Sequence, residues 1–336
     1  LFFVKFEFMK HISILVPKGA ILGSLEGTRQ LFTQVNHFFK DRELPLPFQV
    51  QLVGLTTATP LTGGLFTAHN HVVFQEVEKT DLIIVPAFDG DIEQALEANK
   101  DFIPWIVDQY KKGAEVASLC MGAFILASTG LLKGRKCATH WMAANDFRKM
   151  FPDVQLVTEK IITDEHRIYS SGGAFSYLNL ILYLIEKYAG REMAILCAKV
   201  FAIEIERDSQ LSFTIFQGQK DHDDDQIRQA QAFIEKNYQD KMSVDQLASM
   251  LALSRRAFER RFKKATCNTV NEYIQRVKME AAKMSLESSR DNVNEVMYKV
   301  GYNDTKAFRT TFKRITGLSP LEYRNKYREM GERQIA

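Results

Sequence analysis

Six residues recur at one fixed offset near the end of this 336-residue chain: Phe258, Phe262, Lys263, Thr266, Glu272 and Tyr273 return fifty residues later as Phe308, Phe312, Lys313, Thr316, Glu322 and Tyr323. Six identities in one register mark two copies of a single supersecondary unit. The apolar positions Val244 and Leu247 return as Val293 and Val296 at an offset of 49, so the second copy carries one extra residue at its turn. Within each copy the phenylalanines stand four residues apart, which puts both on one face of a helix and leaves the other face to solvent. The segments VDQLASMLALS and VNEVMYKVGYND each read as a short amphipathic helix and a tight turn, with RRAFERRFKK and TKAFRTTFKR as the helices that follow. Ser254 and Asp304 carry the short oxygen-bearing side chains that cap helix N-termini, and Gly301 suits the turn. The grammar is helix-turn-helix, written twice.

The solvent face of the first of these helices carries Arg256, Glu259 and Arg260, and that of the second Thr305, Lys306 and Arg309. These side chains suit base edges: Arg pairs bidentately with guanine, Glu accepts from cytosine N4 and Thr contacts a thymine methyl. Arg261, Lys263, Lys264, Lys313 and Arg314 are assigned instead to phosphates or to no contact at all. Charge is divided in the same sense, because residues 226–336 hold 22 Lys/Arg against 13 Asp/Glu while the preceding residues hold 22 against 28. A basic tail on an acidic body implies a polyanionic partner for the tail, and double-stranded DNA fits best.

The first two thirds read differently. Short apolar runs (HISILVP, FQVQLVGL, DLIIVPAF, EVASL) alternate with helical patterns at 25–40 and 101–112, which predicts a parallel sheet covered by helices on both faces. After about residue 172 the pattern turns helical. The stretch QGQKDHDDDQ, 217–226, has almost nothing to bury and reads as a polar, solvated linker. The expected organisation is an α/β domain at 9–216, the linker, and an all-α domain with two helix-turn-helix motifs at 227–330. Leu1 to Phe8 read as an extension upstream of the fold. Lys5, Glu7 and Lys10 interrupt the apolar start before a signal core or membrane span could form, and four scattered cysteines give no disulfide framework or zinc site. A cytoplasmic protein without metal or cofactor is expected.

One cysteine stands out. AEVASLCMGAFILASTGLL reads as a buried strand ending at Cys120, a turn allowed by Gly122, and a helix, the elbow that presents a nucleophile near a helix N-terminus where its pKa is lowered. His140, in the ATHW run, is the candidate partner of Cys120. His69 and His71 are spaced for one face of a strand but lack a third metal ligand. Cys197 sits in an apolar helix pattern and reads as core, and Cys137 is placed only loosely near the elbow.

Two family resemblances rest on these residues. LALSRRAFERRFKKATC and VGYNDTKAFRTTFKRITGLSPLEYR resemble the two halves of an AraC/XylS-type DNA-binding domain, over about residues 226–329. Cys267 departs from that pattern where glycine is usual, and Asn268 to Val270 replace the Ser-Pro of the second copy, so an altered turn is expected there. The elbow and its histidine resemble the PfpI-like, class I glutamine amidotransferase-like superfamily, with a flavodoxin-like fold, over about 11–206. Together the pair is similar to GlxA-type regulators. The resemblance implies a ligand pocket at Ser24, Phe88, Cys120, Met121 and His140. Ser24 stands where enzymes of the superfamily place a carboxylate, Glu26 is offset by two residues, and Ala87 and Phe88 replace a Gly-Gly that shapes an oxyanion site. The implied protein is a DNA-binding transcription regulator whose α/β domain senses a small molecule or redox state and dimerises, rather than an enzyme. The alternative is a cysteine-dependent amidase or glyoxalase-like enzyme with a DNA-binding tail.

Overall fold

The run Ile12–Val16 has only Ser13 to offer to water, so the strand that contains it can lie only inside. In the computed structural model, which describes residues 9–205 and 209–327, that strand is β1 (Lys10–Val16), an interior strand of a seven-stranded sheet. The other strands of the N-terminal unit are β2 (Phe48–Gly54), β3 (Ala58–Leu61), β4 (Phe66–His69), β5 (Val72–Val73), β6 (Leu82–Val85), β7 (Glu115–Leu119), β8 (Lys136–Cys137), β9 (Gln155–Leu156), β10 (Ile162–Asp164) and β11 (Ile168–Ser171). Its helices are α1 (Leu22–Lys40), α2 (Ile92–Ala98), α3 (Phe102–Lys111), α4 (Ala123–Ser128), α5 (Ala144–Met150), α6 (Tyr177–Ala189) and α7 (Arg191–Val200).

The sheet runs β10-β11-β7-β6-β1-β2-β5, and every pair is parallel except β10 with β11. Ile12, Ile14, Leu82, Ile84 and Leu119 face a layer of α1, α6 and α7, while Leu15, Ile83, Val85 and Val116 face α2 to α5. Ser13 is fully buried but satisfied, donating to Thr80 Oγ1 at 3.0 Å and accepting from Gln51 Nε2 at 3.1 Å. The parallel sheet between two helical layers expected from the alternation is therefore present, and with it the flavodoxin-like sandwich that the PfpI-like resemblance implied. The hairpin β3–β4 and the edge pair β10–β11 were not legible as strands in the sequence. Leu1 to Phe8 lie outside the described residues.

The C-terminal unit is all helical: α8 (Asp225–Lys236), α9 (Val244–Met250), α10 (Arg255–Thr266), α11 (Val270–Ser288), α12 (Val293–Lys299), α13 (Thr305–Thr316) and α14 (Pro320–Tyr327). Two cores form. Ile227, Ile234, Leu247, Phe258, Phe262 and Tyr273 make the first, and Met279, Leu286, Val296, Phe308, Phe312 and Tyr323 the second. Helix α11 contributes to both.

Contacts divide the chain into Leu1–Gln210 and Leu211–Ala336, earlier than the expected 216/217 boundary. The supposed linker is not free either. Gln219 bonds Asn268 and Gln231, Lys220 pairs with Glu235 at 2.6 Å, and Asp224 caps α8 through the Ile227 N–H. Its polarity serves both solvent, to which Gln217, Lys220, Asp221, Asp223 and Asp225 are exposed, and the hydrogen bonds that join Gln219 and Asp224 to the helices beside it.

The two copies superimpose in their local rules. Ser254 and Asp304 accept from the backbone N–H groups of Ala257 and Ala307, as their cap positions require. The turns after α9 and α12 close with the same bonds, Leu253 N–H to Ala248 O and Tyr302 N–H to Met297 O, both at 3.0 Å. After α10, Cys267 adopts the left-handed conformation (φ 57°) that Gly317 adopts after α13 (φ 77°), so the expected alteration of that turn does not occur. Thr266 and Thr316 accept from Asn268 and Leu318, and Thr269 and Ser319 cap the next helix with Glu272 and Glu322. Ala252 (φ 53°) likewise stands where the second copy has Gly301 (φ 74°).

The first copy thus holds two side-chain-bearing residues in a region costing about 1 kcal/mol each. Ala252→Gly and Cys267→Gly are each expected to raise the unfolding free energy by about 0.5–1 kcal/mol, the strain relief exceeding glycine's entropic penalty. Urea unfolding of the single and double variants checks both the sign and the additivity.

Candidate functional site

Two regions carry chemistry, one in each unit. In the C-terminal unit, burial of Phe258 and Phe262 turns Arg256, Glu259, Arg260, Lys263 and Lys264 outward on α10. Burial of Phe308 and Phe312 does the same for Thr305, Lys306, Arg309 and Lys313 on α13. Arg256, Arg260, Lys306 and Arg309 make no hydrogen bond or ion pair among the described residues, which leaves their donors available. Glu259 differs: Arg255 Nε donates to its carboxylate at 3.3 Å, and Arg255 also pairs with Asp245 at 3.1 Å. Arg255 thereby orients Glu259, a role the sequence reading missed although the i,i+4 spacing of the pair was visible.

Two of the arginines offered to phosphates or to no contact have partners within the unit. Arg261 donates to both carboxylate oxygens of Asp224, at 2.9 and 2.6 Å, and to Gln226 at 2.6 Å. That bidentate pair fixes α10 to the start of α8 and raises the guanidinium's pKa, chiefly through the Asp224 hydrogen bond. Arg314 donates to Gln275 at 2.7 Å on α11. Both arginines have geometric partners within the unit.

In the N-terminal unit the structure gathers Ser24, Phe88, Cys120, Met121 and His140 around the C-terminal ends of β1, β6 and β7, where open α/β sheets hold ligands. The loops after β1 and β6 are joined by a bridge between Ala20 and Phe88 and by Ile21 N–H to Ala87 O at 2.9 Å. The elbow lies hard against the second loop, since a Cβ at Gly122 would stand 2.3 Å from Val85 O and 2.6 Å from Pro86 O. Thr139 Oγ1 donates to Cys120 O at 3.0 Å, which draws His140 to the same edge.

Cys120 sits at φ 54° and is 5% exposed. A left-handed cysteine between strand and helix is strained, as nucleophile elbows are. Its acidity contradicts the expectation from the helix dipole: burial pushes the thiol up to about 11, with only the Met121 backbone N–H favouring the thiolate. The residues after it form a 3-10 turn and the six-residue α4, so little dipole opposes that desolvation. The pairing with His140 is also not made. His140 Nδ1 accepts from the Met142 N–H at 3.2 Å, burial lowers the imidazole's pKa, and no hydrogen bond joins it to Cys120 among the described residues. Ser24 is buried and donates to Ile21 O at 2.8 Å. Glu26 faces away and pairs with Arg29 at 2.7 Å, a contact that lowers its pKa. Phe88 is 1% exposed within the core, against which Met121 also packs.

The remaining candidates separate. His69 ends β4, whereas His71 Nδ1 accepts from the Leu52 N–H at 2.9 Å on the main sheet, so the two do not share a strand face. Cys197 is core, as expected, and Cys137 is fully buried with its thiol pushed up to about 12. No helix among the described residues is long and apolar enough to cross a membrane.

The fold is that of a PfpI/DJ-1-like domain followed by a helix-turn-helix domain similar to the AraC/XylS type. Residues 47–187 match the DJ-1/PfpI family, and residues 247–326 match the family described as a helix-turn-helix domain. The chain is 25% identical over 236 residues to the HTH-type transcriptional regulator GbdR of Pseudomonas aeruginosa, covering 70% of this chain and 64% of GbdR, just under two thirds of that relative's length. It is 21% identical over 315 residues to the HTH-type transcriptional regulator CdhR of the same species, covering 93% of this chain and 90% of CdhR. The crystal structure of a ThiJ/PfpI family protein from Pseudomonas syringae shares the fold, with a TM-score of 0.51 and 17% identity over 60% of this chain and 78% of its own.

A thiol with a pKa near 11 holds little thiolate at neutral pH. The alkylation rate of Cys120 by iodoacetamide is expected to rise about tenfold per pH unit from pH 7 towards pH 10. Peptide mapping after timed alkylation checks this, and a rate already level near pH 8 would show an activated thiolate.

Proposed function

We propose that this chain is a transcription regulator of GlxA-like organisation. Its C-terminal unit binds an operator with α10 and α13 in successive segments of the major groove, and its α/β unit takes a small-molecule effector at the Cys120 elbow and pairs with a second copy. The observation that carries the reading is the repeat itself: two capped helices, each anchored by buried phenylalanines, each presenting unpaired cationic side chains. One basic helix is common on protein surfaces; two in register, joined by a shared helix, form a bipartite reader. That GbdR and CdhR are named transcriptional regulators supports it.

For the α/β unit, binding is favoured over turnover. A protonated thiol, a histidine engaged by its own turn and a serine where an acid would stand supply no general base for Cys120. The strained elbow at the strand ends is a recognition site in this reading, and pairing of α/β units would raise the effective concentration of two readers on one operator.

The test is fluorescence anisotropy of the full chain on a duplex from its own upstream region and on random DNA, over a salt series. Selective binding with a steep salt slope is expected; equal, weak binding to both duplexes would overturn the reading. Arg309→Ala is expected to cost about 1–3 kcal/mol on the specific duplex and little on random DNA. Lys313→Ala is expected to weaken both alike and to reduce the magnitude of the log–log salt slope by about 1.

A further inference from the structure

Lys278 lies in the middle of α11, between the residues that α11 gives to the first core (Val270, Tyr273, Ile274) and those it gives to the second (Met279, Ala282, Leu286). Its side chain is 8% exposed, unusual for a lysine, and no carboxylate pairs with it among the described residues. The ammonium instead donates to three backbone carbonyls: Asp240 O at 3.4 Å, Val300 O at 3.1 Å and Gly301 O at 3.4 Å. The first belongs to the loop between α8 and α9, in the first motif's half; the other two close α12 and begin the turn of the second motif. Carbonyls at a helix C-terminus carry partial negative charge and lack intrahelical donors, so a buried cation there is well placed.

The same junction is closed by backbone approach. A Cβ at Gly301 would stand 2.0 Å from Gln239 O and 2.7 Å from Lys278 Nζ, so the second motif's turn touches the first half with no room for a side chain. Elsewhere each motif packs chiefly around its own core, and the further links between the halves are Tyr238 of the α8–α9 loop, which packs against the second core, and Arg314 on α13, which donates to Gln275 on α11. We propose that Lys278 is a positioning residue that fixes the placement of α13 relative to α10, and so determines the one spacing between half-sites that a single chain accepts. This rests on the two-motif DNA-binding reading above. Each base pair inserted between half-sites shifts the second by about 3.4 Å and rotates it by roughly 35°, so a rigid junction rejects wrong spacings and a loose one tolerates them.

The experiment is selection of bound duplexes from a random 30-base-pair library by the full chain and by Lys278→Met, Lys278→Gln and Lys278→Arg, read by sequencing, with circular dichroism to confirm folding. Wild type and Lys278→Arg, which keeps a multidentate cation, are expected to return a bipartite motif at one spacing. Lys278→Met and Lys278→Gln are expected to return the same half-site sequences at several spacings, with preference for the best spacing over its one-base-pair neighbours falling from about tenfold or more to below about threefold. A residue that only stabilised the fold would lower the yield of bound DNA without spreading the spacing. A single wild-type spacing from folded Lys278→Met or Lys278→Gln would overturn the proposal; if Lys278→Met does not fold, Lys278→Gln decides alone. Wild type returning no bipartite motif would instead defeat the DNA-binding reading itself.

Discussion

Helix α11 buries Val270, Tyr273 and Ile274 in one core and Met279, Ala282 and Leu286 in another, and the outward-facing cations of α10 and α13 are set by how those helices pack on these two cores. Phe258 and Phe262 can reach the first core only if Arg256 and Arg260 face away from it; Phe308 and Phe312 impose the same on Lys306 and Arg309. Packing thus decides which side chains are offered to a partner, and the caps and turns decide how each helix enters. The charges themselves determine nothing until the phenylalanines have chosen the face.

Much of this was written in the chain. The offset of fifty residues gave both motifs, Ser254 and Asp304 gave their helix starts, and the missing residue between the copies gave the shorter first turn. The buried strands were legible for the same reason, since Leu82–Val85 has no polar residue and Val116–Leu119 has only Ser118. What could not be read were contacts between residues distant in sequence. Arg261 looked like any exposed arginine until Asp224, 37 residues away, was placed beside it. The polarity of 217–226 suggested solvent because its hydrogen-bond partners, Gln231 and Asn268, lie on helices whose placement the sequence did not specify. Lys278 gave no signal at all, because a lysine on an amphipathic helix is ordinarily at the surface.

The elbow shows the complementary limit. Strand, turn and helix around Cys120 were legible, but the left-handed residue of the turn is Cys120 itself, and Gly122, expected to permit the turn, is instead required because a Cβ there would collide with the Val85 and Pro86 carbonyls. The expected acidity gives way to burial of the sulfur, which raises the thiol's pKa against the single Met121 backbone hydrogen bond that favours the thiolate. His140 was correctly placed near the elbow in sequence order but is turned to its own backbone. A motif specifies which residues meet at an edge of a sheet; their protonation is set by desolvation and by hydrogen bonds that only the packed structure defines.

In the proposed reading one chain engages DNA through two motifs held as a single body. Hydroxyl-radical footprinting of the full chain on its selected duplex tests it most directly. Two protected patches on one face of the helix, about 10 base pairs apart, are what two groove-seated helices on a rigid junction require. One patch alone, with the same affinity retained when the second half-site is scrambled, would contradict the account.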